Sequence, residues 1–363
     1  MVSADLALME RALSLAERGR GRTAPNPMVG AVVVDRDGVI VGDGYHERAG
    51  LAHAEVRALD RAGGRATGAT LYCTLEPCCH TGRTGPCVER IAAAGIRHVV
   101  AATVDPNPLV NGAGAAWLRE HGIEVTLGVG ERAAARQNAA FFTRVREHRP
   151  FVIAKAAVSL DGYVAARSGA RTEISGPAAR RAVQRLRAEV DAIGIGSGTL
   201  LVDDPILTVR DVYRARPLTR VVFDRQLRTS SSARLFTTLD HGPVIVVTSE
   251  EACRHAPARV QTLREVGAQV EVAGGGAFGE AMRRLADLGV CSLLLEGGAT
   301  LHAAAWDARM IDRVALYIAP VALGGEGVPL FGGRSFSVRD LQHCRVEPCG
   351  DDILIEGDVQ RIG

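Results

Sequence analysis

The chain has 363 residues, of which 47% are hydrophobic and 23% are charged, and its net charge is +2 at pH 7. A chain of this length is expected to form two or three domains, each with its own core. The nearly balanced charge gives no indication of nucleic acid or of an anionic membrane as a partner. No apolar run approaches the roughly 18 residues of a membrane-spanning helix.

The cysteines and the N-terminal segment indicate the cellular compartment. Asp5 and Glu10 interrupt the N-terminal segment, so we predict neither a signal peptide nor a transit peptide. Four of the eight cysteines lie between residues 73 and 87. Without a secretory signal, this clustering favours a metal site in the reducing cytoplasm over a set of disulfides.

The first half of the chain alternates helical and β patterns. The turn sequence 35–38 between two β-rich runs predicts a hairpin. The expected elements are helix 3–18, strands 29–34 and 39–44, helix 53–62, strand 70–74, helix 87–94, strand 97–102, helix 114–121, strand 123–127 and helix 131–146. This alternation predicts a layered α/β domain with a mostly parallel inner sheet. Pro150 discourages helix continuation, so we expect one domain over residues 1–147 and another over 148–363.

The second half also has an α/β pattern. Strands are expected at 151–158, 192–195, 220–223, 244–248, 269–272, 292–295 and 314–318, with helices at 177–189 and 278–288. Ligands of open α/β sheets bind beyond the carboxyl ends of the strands. Two glycine-rich turns, 194–199 and 293–300, follow strands there, and their backbone N–H groups could face a phosphate. Neither turn is a Rossmann fingerprint, and an ordinary tight turn explains each equally well.

One set of residues has the composition of a catalytic zinc site. His53 and Glu55 stand two residues apart, and Cys78 and Cys87 each follow a proline. A His/Cys/Cys zinc site with an unbound glutamate is typical of nucleobase deaminases. His53 and Cys87 each stand at the start of a helical pattern. The partial positive charge of a helix N-terminus favours a thiolate over a thiol. We therefore predict zinc on His53, Cys78 and Cys87, with a fourth position for water and with Glu55 as the proton carrier.

A structural zinc site is the alternative interpretation of these residues. Cys73, Cys79 or His80 would then be a fourth ligand, and Glu55 would have no role. Cys73 and Cys79 are also explained as small apolar residues beside the site.

Longer motifs resemble the bifunctional riboflavin-biosynthesis deaminase/reductases over nearly the whole chain. In the first half these motifs are Pro25-Asn26-Pro27-Met28-Val29-Gly30-Ala31, Gly44-Tyr45-His46-Glu47-Arg48-Ala49-Gly50, His53-Ala54-Glu55 and the run from Thr74 to Cys87. In the second half they are Ser159-Leu160-Asp161-Gly162, the run from Asp203 to Arg210, and Glu296-Gly297-Gly298-Ala299. The resemblance implies an N-terminal cytidine-deaminase-like three-layer α/β domain and a C-terminal dihydrofolate-reductase-like α/β domain.

For the first domain, the resemblance implies zinc-dependent deamination of 2,5-diamino-6-(5-phosphoribosylamino)pyrimidin-4(3H)-one. The residues that match substrate-binding positions are Asn26, His46, Ala54, His80 and Arg83. Arg83 has the donors for a phosphate, and Asn26 offers a donor and an acceptor to a pyrimidine edge. A solvated cation at Arg83 and an ordinary loop histidine at His46 are the competing interpretations.

For the second domain, the resemblance implies NADPH-dependent reduction of the ribosyl group of 5-amino-6-(5-phosphoribosylamino)uracil to ribityl. The matching cofactor positions are Ala157, Thr199, Asp203, Gly298, Ala299, Thr300, Leu301, His302, Ala303 and Ala304. The expected substrate residues are Lys155, Arg187, Leu207, Arg210 and Glu296, with the two arginines as phosphate clamps. Lys155 could hold the ribosyl hydroxyls or donate a proton, and a buried ion pair with Asp161 is the alternative.

The chain departs from the family pattern at several positions. Glu173 replaces a common aromatic residue, which weakens the expectation of cofactor stacking there. Arg171 and Arg225 replace small polar residues, and Arg225 is available to the 2′-phosphate of NADP. Gly85 stands where the zinc loop commonly has a proline, but the ligand spacing is kept.

Two other functional classes are consistent with part of the sequence. One is a deaminase of free or tRNA nucleobases fused to an unrelated domain, which the long Cys78 to Cys87 spacing and the lack of a basic, aromatic-rich face disfavour. The other is a non-enzymatic zinc-binding protein. We expect small phosphoribosyl-pyrimidines as the ligands, and a homodimer or higher homo-oligomer formed through the second domain.

Overall fold

The structure, a computed structural model, describes residues 2–80, 85–274 and 277–360. It divides into two compact units, residues 1–148 and 149–363. None of the helices in these described segments is both long and apolar enough to span a bilayer.

The first unit is an α/β structure in the expected element order. Its strands are β1 (Gly30–Val34), β2 (Ile40–Tyr45), β3 (Thr70–Cys73), β4 (His98–Ala101) and β5 (Glu124–Leu127). Its helices are α1 (Val2–Glu17), α2 (Ala54–Ala62), α3 (Cys87–Ala93), α4 (Ala113–Glu120), α5 (Glu131–Gln137) and α6 (Ala139–Glu147), with a 3-10 turn at Gly63–Ala66.

The sheet of this unit has β1 as its one reversed strand. Among the described residues, five strands follow the order β2-β1-β3-β4-β5. β1 is antiparallel to β2 and to β3, because the turn 35–38 folds β2 directly back on β1. β3, β4 and β5 are parallel neighbours, so the prediction of a mostly parallel sheet is confirmed.

Alternating residues of the strands build a core on each face of this sheet. Val33 and Leu71 pack toward α2 and α3, whereas Val32 and Tyr72 pack toward α1. The result is a three-layer arrangement, and it fixes α2 and α3 on the same face.

The prediction of one helix over 131–146 is wrong. The helix breaks at Asn138, which separates α5 from α6. The Asn138 side chain accepts a hydrogen bond from Met28 N (2.7 Å) and donates one to Met28 O (2.8 Å). This tertiary bond to a segment 110 residues away has no signature in the local periodicity.

The second unit is also α/β. Its strands are β6 (Phe151–Ser159), β7 (Tyr163–Ala165), β8 (Ala192–Gly196), β9 (Thr219–Phe223), β10 (Val244–Ser249), β11 (Ala268–Ala273), β12 (Ser292–Leu295), β13 (Arg313–Ala319), β14 (Val328–Pro329), β15 (Leu341–Cys349) and β16 (Asp352–Val359). Its helices are α7 (Pro177–Glu189), α8 (Ser197–Asp203), α9 (Glu250–His255), α10 (Pro257–Glu265), α11 (Phe278–Asp287) and α12 (Ala299–Asp307), with 3-10 segments at Arg234–His241, Leu330–Gly333 and Val338–Asp340.

The large sheet of this unit is parallel except at one end. In the described part of the chain its nine strands follow the order β11-β10-β9-β8-β12-β6-β13-β16-β15. β16 is antiparallel to both β13 and β15, and the other neighbouring pairs are parallel. The carboxyl ends of β6, β8, β9 and β12 therefore lie along one edge of the sheet, and both predicted glycine-rich turns lie there.

Candidate metal centre and coenzyme cavity

His53, Cys78 and Cys87 lie together in the first unit. Their ligand atoms are all within 4.8 Å of one another, and among the described residues they form a group that could hold a metal ion. His53 Nδ1 is 3.2 Å from Cys87 Sγ and 3.6 Å from Cys78 Sγ. One imidazole nitrogen thus faces both sulfur atoms, as a shared metal ion requires.

Two helix N-termini bring these ligands together, as the sequence predicts. His53 is the N-cap residue of α2, and Cys87 is the first residue of α3. The backbone N–H of Cys87 also donates to Cys78 Sγ at 3.4 Å. α2 approaches β2 closely because Gly42 and Gly44 have no side chains, and a Cβ at Gly42 would stand 2.1 Å from the Ala58 carbonyl oxygen.

The electrostatics of the group suit a metal. The hydrogen bond from the Cys87 thiol has the largest effect on the pKa of Cys78 and lowers it. The bond to His53 lowers this pKa as well. A thiolate is the form that binds zinc. The nitrogen–sulfur–sulfur donor set is also one that zinc accepts.

Glu55 lies beside this group with a free carboxylate oxygen. The residue is 4% exposed, and its buried Oε2 has no hydrogen-bond partner in the described part of the chain. Burial raises the pKa of this carboxyl, and His53 opposes the shift. A buried carboxylate oxygen without a partner fits a site that is completed by a bound water or substrate.

The alternative of a closed structural site has no support in this geometry. Cys73, Cys79 and His80 are not members of the metal-competent group in the described residues. Cys73 is buried, and burial raises the pKa of its thiol well above the ordinary value. The Cys79 thiol faces the Leu109 carbonyl oxygen at 3.6 Å. Among the described residues, none of these three side chains therefore joins His53, Cys78 and Cys87 as a further ligand.

We expect Cys78→Ala to weaken zinc binding by more than about 100-fold, because changes outside the ligand shell already cost 10- to 100-fold. Cys79→Ala is the matched control, since it removes a neighbouring thiol that points elsewhere. Metal analysis after dialysis measures both variants. Retention of zinc by Cys78→Ala, or its loss in Cys79→Ala, would contradict the ligand assignment.

Asn26 and His46, two of the predicted pyrimidine-binding residues, lie beside the predicted metal ligand His53. Asn26 Nδ2 donates to His46 Nε2 at 3.1 Å, and the His46 ring stands edge-on to His53 with centroids 5.4 Å apart. Ala54 is fully buried at the start of α2, and the buried Nδ1 of His80 has no hydrogen-bond partner among the residues that the structure describes. Arg83 lies outside the described residues.

Two buried acids near this site are absent from the sequence-based prediction. Glu76 accepts hydrogen bonds from the backbone N–H groups of Asp105, Gly112 and Ala115, so it ties the zinc loop to the start of α4. Burial raises the pKa of Asp105 to about 6, and His80 is among the charges that act on it. Asp105 follows β4 at the carboxyl edge of the sheet, which is the signal that could have identified it.

The second unit contains a cavity of 1280 Å³ at the carboxyl edge of its sheet. Ten of the predicted residues line it: Lys155, Ala157, Thr199, Asp203, Glu296, Gly298, Ala299, Thr300, Leu301 and Ala304. Arg171, Glu173 and Arg225, where the chain departs from the family pattern, line it as well.

The other five predicted residues do not line this cavity. His302 and Ala303 are buried in α12, and His302 Nε2 lies 3.2 Å from the Leu295 carbonyl oxygen. Burial lowers the pKa of His302 to about 4, so this histidine is neutral. Leu207 is buried, whereas Arg210 is exposed, with its backbone N–H bound to Gln184.

Arg187 and Lys155 both meet Glu296. Arg187 donates Nε to Glu296 Oε1 at 2.7 Å and Nη2 to Oε2 at 2.8 Å, so its paired donors are engaged by a carboxylate. Lys155 Nζ lies 3.9 Å from Glu296 Oε2. The suggested pairing of Lys155 with Asp161 is wrong, because Asp161 binds Ser159 and the backbone N–H groups of residues 323 and 324.

Lys155 is the only lysine of the chain, beside 42 arginines. Burial lowers the pKa of its ammonium group, and the Glu296 carboxylate partly opposes this. Burial raises the pKa of Glu296, but Arg187 and Lys155 outweigh it and the net shift is downward. The cavity therefore presents a buried amine against an ionised carboxylate.

The cavity residues fit a dinucleotide. Gly298 is the N-cap of α12, and its backbone N–H donates to Thr199 Oγ1 at 3.1 Å. Apart from its chain neighbours and its own helix, no heavy atom of the described residues lies within 4 Å of the point where a side chain at Gly198 would begin, so the backbone there is open to a ligand. The buried Oδ1 of Asp203 has no hydrogen-bond partner among the described residues. Helix N-termini and exposed backbone N–H groups bind phosphates.

Known proteins resemble both units of the chain. Residues 2–103 match the cytidine and deoxycytidylate deaminase zinc-binding region, and residues 150–355 match the RibD C-terminal domain. The riboflavin biosynthesis protein RibD of Aquifex aeolicus is 41% identical over 97% of this chain and 97% of that protein.

Solved structures resemble the chain over its whole length. Acinetobacter baumannii RibD, form 1, has a TM-score of 0.88 and 34% identity, and the match covers 99% of this chain and 100% of that one. A Thermotoga maritima diaminohydroxyphosphoribosylaminopyrimidine deaminase/5-amino-6-(5-phosphoribosylamino)uracil reductase has a TM-score of 0.84 and 35% identity, with 99% of each chain covered.

These matches confirm the two expected folds, a cytidine-deaminase-like unit followed by a dihydrofolate-reductase-like unit. The chain belongs to the RibD family of riboflavin biosynthesis proteins, with a zinc-binding deaminase domain and an NADPH-using reductase domain.

Proposed function

We propose that this chain catalyses two successive reactions on one phosphoribosyl-pyrimidine. Residues 1–147 remove the 2-amino group of 2,5-diamino-6-(5-phosphoribosylamino)pyrimidin-4(3H)-one by hydrolysis. Residues 148–363 then reduce the ribosyl group of 5-amino-6-(5-phosphoribosylamino)uracil to ribityl with NADPH. The observation that supports this most strongly is the convergence of His53, Cys78 and Cys87 beside the buried carboxylate of Glu55.

In the deamination, His53, Cys78 and Cys87 would hold the zinc. When bound there, zinc would supply a water that is activated at neutral pH. Glu55 accepts a proton from that water and delivers it to the departing amino group, which leaves as ammonia. The Oε2 of Glu55 supports this role, since no group of residues 2–80, 85–274 and 277–360 forms a hydrogen bond with it.

The neighbouring polar side chains orient the pyrimidine. The bond from Asn26 to Nε2 of His46, together with the 3.3 Å contact between His46 Nδ1 and the Ala52 carbonyl oxygen, fixes a neutral His46 with its proton on Nδ1. The second N–H of the Asn26 amide and its carbonyl oxygen are then available to a ring edge. Ala54 and His80 complete the binding site, and Arg83 is assigned the substrate phosphate.

In the reduction, the glycine turn at Gly298, with Ala157, Thr199 and Asp203, binds the coenzyme. When bound, NADPH would supply the hydride that adds to C1′ as the C1′–O4′ bond of the ribosyl ring is lost. Lys155 donates the accompanying proton, so that the ring oxygen ends as a hydroxyl, and the ionised Glu296 keeps the Lys155 ammonium charged until substrate binds. Arg187 holds Glu296 through its two parallel hydrogen bonds.

Arg210 and Leu207 are assigned to the substrate at the outer side of this site. Arg210 is exposed and carries donors that suit the phosphate group. Leu207 has a positive φ of 56°, and the nearby Arg187 Nη1 donates to the Thr208 carbonyl oxygen at 3.1 Å. This contact links the 207–210 segment to the Arg187–Glu296 pair.

The test of the first reaction is ammonia release from the diaminopyrimidine phosphate by the purified, zinc-loaded chain without NADPH. We expect stoichiometric ammonia and the deaminated uracil product. Guanine, cytidine and unmodified tRNA serve as comparison substrates for the rival deaminase classes. Faster release of ammonia from any of these comparison substrates would contradict the proposal. A failure to release ammonia from every substrate would also contradict it.

We also propose that the chain is cytoplasmic and forms a homodimer or higher homo-oligomer through the second unit. All eight cysteines are free, as a reducing compartment requires. β15 is an edge strand, and Val346 and Ile353 of the terminal hairpin are 62% and 48% exposed. Exposed edge strands are templates for pairing with another chain.

Light scattering tests the assembly. We expect at least twice the 38.3 kDa mass of one chain, and a return to the single-chain mass in Val346→Lys, which adds a charge to the edge. A wild-type mass of one chain would contradict the proposal.

A further inference from the structure

Asn138, at the break between α5 and α6, is bonded to the loop that leads into β1. The residue is 2% exposed, and both polar atoms of its side chain bind the backbone of Met28, two residues after Asn26. We infer that Asn138 is a positioning residue of the deamination, because it fixes the place at which Asn26 presents its amide to the pyrimidine. This inference rests on the proposed deaminase function, since Asn26 binds substrate only in that function.

The side chain of Asn138 serves the loop and not its own helix. Asparagine is a preferred N-cap residue, and its side chain then binds the first turn of the helix that follows. Asn138 holds the N-cap position of α6, but its side chain makes no such bond within this helix, all of which the structure describes. Its backbone N–H donates to the Ala134 carbonyl oxygen at 3.1 Å, and its carbonyl oxygen accepts from the Phe142 N–H at 3.0 Å. The two helices therefore hold the backbone of Asn138 and leave its amide group to the loop.

The two side-chain bonds fix the loop at Met28. The Met28 N–H donates to Asn138 Oδ1 at 2.7 Å, and Asn138 Nδ2 donates to the Met28 carbonyl oxygen at 2.8 Å. One side chain thus satisfies both backbone polar groups of Met28, as a neighbouring strand would. Pro27 restricts the backbone between Asn26 and Met28, and two residues span at most about 7 Å. A displacement of Met28 is therefore passed directly to Asn26.

The same loop is joined to the metal ligands on its other side. The Val29 carbonyl oxygen accepts a bond from the His46 N–H at 2.8 Å, and Asn26 Nδ2 donates to His46 Nε2 at 3.1 Å. The His46 ring in turn stands edge-on to His53. Asn138 is thus linked to the pyrimidine through Asn26, and we assign it no contact with the substrate.

The test compares Asn138→Leu with Gln137→Ala in the full-length, zinc-loaded chain. Leucine has nearly the shape of asparagine but bonds with neither polar group of Met28. Gln137 is the matched control, because its Nε2 ties the end of α5 to the Leu13 carbonyl oxygen and to Glu17, away from the loop.

Ammonia release from the diaminopyrimidine phosphate should respond to Asn138 alone. A misplacement of 1 Å can cost about 10²-fold in rate, so we expect kcat/KM to fall roughly 10- to 100-fold in Asn138→Leu. The change should lie mainly in KM, because Asn26 holds the ring before and during the reaction. At pH 8, Asn138→Asp keeps only the acceptor and should fall between Asn138→Leu and wild type. Gln137→Ala should stay within about twofold of wild type.

A double-mutant cycle with Asn26→Ala separates positioning from general support of the fold. If Asn138 acts through Asn26, Asn138→Leu should lower kcat/KM by less than about threefold once Asn26 is alanine. Zinc content, and reduction of the deaminated uracil with NADPH, should stay at the wild-type level in every variant.

Three results would overturn this inference alone. They are an unchanged KM in Asn138→Leu, effects of Asn26→Ala and Asn138→Leu that multiply in the double variant, and loss of zinc from both Asn138→Leu and Asn138→Asp. If the zinc-loaded wild type releases no ammonia from the diaminopyrimidine phosphate, the proposed deaminase function fails with it.

Discussion

Replacing Glu55 by glutamine is expected to lower ammonia release roughly 10³-fold or more while zinc stays bound. Glutamine has nearly the same shape, but it cannot accept a proton from water and pass it to the leaving amino group. Zinc should remain because the three ligand atoms come from His53, Cys78 and Cys87. Ammonia release, metal analysis and NADPH oxidation with the deaminated intermediate measure the three properties separately.

The control for this experiment is Glu89→Gln, which neutralises an exposed glutamate of α3. It should leave all three properties unchanged. Ammonia release by Glu55→Gln at the wild-type rate would rule out Glu55 as the proton carrier. Loss of zinc from that variant would instead identify Glu55 as part of the metal-binding shell.

The second large effect is expected at Lys155, the only lysine of the chain. An arginine cannot serve as a proton donor at ordinary pH, whereas a buried lysine with a lowered pKa can. We expect both Lys155→Met and Lys155→Arg to lower kcat for NADPH oxidation about 10²- to 10⁴-fold. Ammonia release by the first domain of the same molecules serves as the internal control and should persist.

The pH dependence of the reductase gives an independent check on Lys155. The donor form is the protonated amine, and its pKa lies below the usual 10.5 because burial disfavours the charge. Activity should therefore decline on the alkaline side at a pH below 10.5. Since no other side-chain amine exists, reductive methylation with ¹³C-formaldehyde gives one lysine signal whose titration can be compared with that decline. Wild-type reduction by Lys155→Arg would show that the amine proton is not needed.

Much of the zinc site could be predicted from the sequence, because its ligands and the helix starts that hold them each belong to a short stretch of the chain. His53 and Glu55 are two residues apart at a helix start, and Cys87 opens the next helix on the same face. The spacing therefore predicted that His53, Cys78 and Cys87 meet, but it left Cys73, Cys79 and His80 as possible further ligands, and among the described residues the structure places these outside the group. The hairpin and the alternation of strands and helices are also local signals, and they predicted the α/β class of both units.

The parts that the sequence could not predict depend on contacts between distant segments. Arg187 and Glu296 are 109 residues apart, and no local pattern indicates that their charges pair beside the cavity. The break at Asn138 depends on Met28 in the same way. Glu76 belongs to the zinc loop motif, yet its role in holding α4 appears only from the bonds that it accepts.

The order and ratio of the two reactions test the account most directly. With the diaminopyrimidine phosphate and NADPH together, we expect one NADPH oxidised for each ammonia released, with ammonia appearing first. Glu55→Gln should oxidise NADPH only when the deaminated uracil is supplied, and Lys155→Met should accumulate that uracil. Oxidation of NADPH by Glu55→Gln with the undeaminated substrate, or ammonia release without any later reduction in the wild type, would contradict a two-site sequence in this chain.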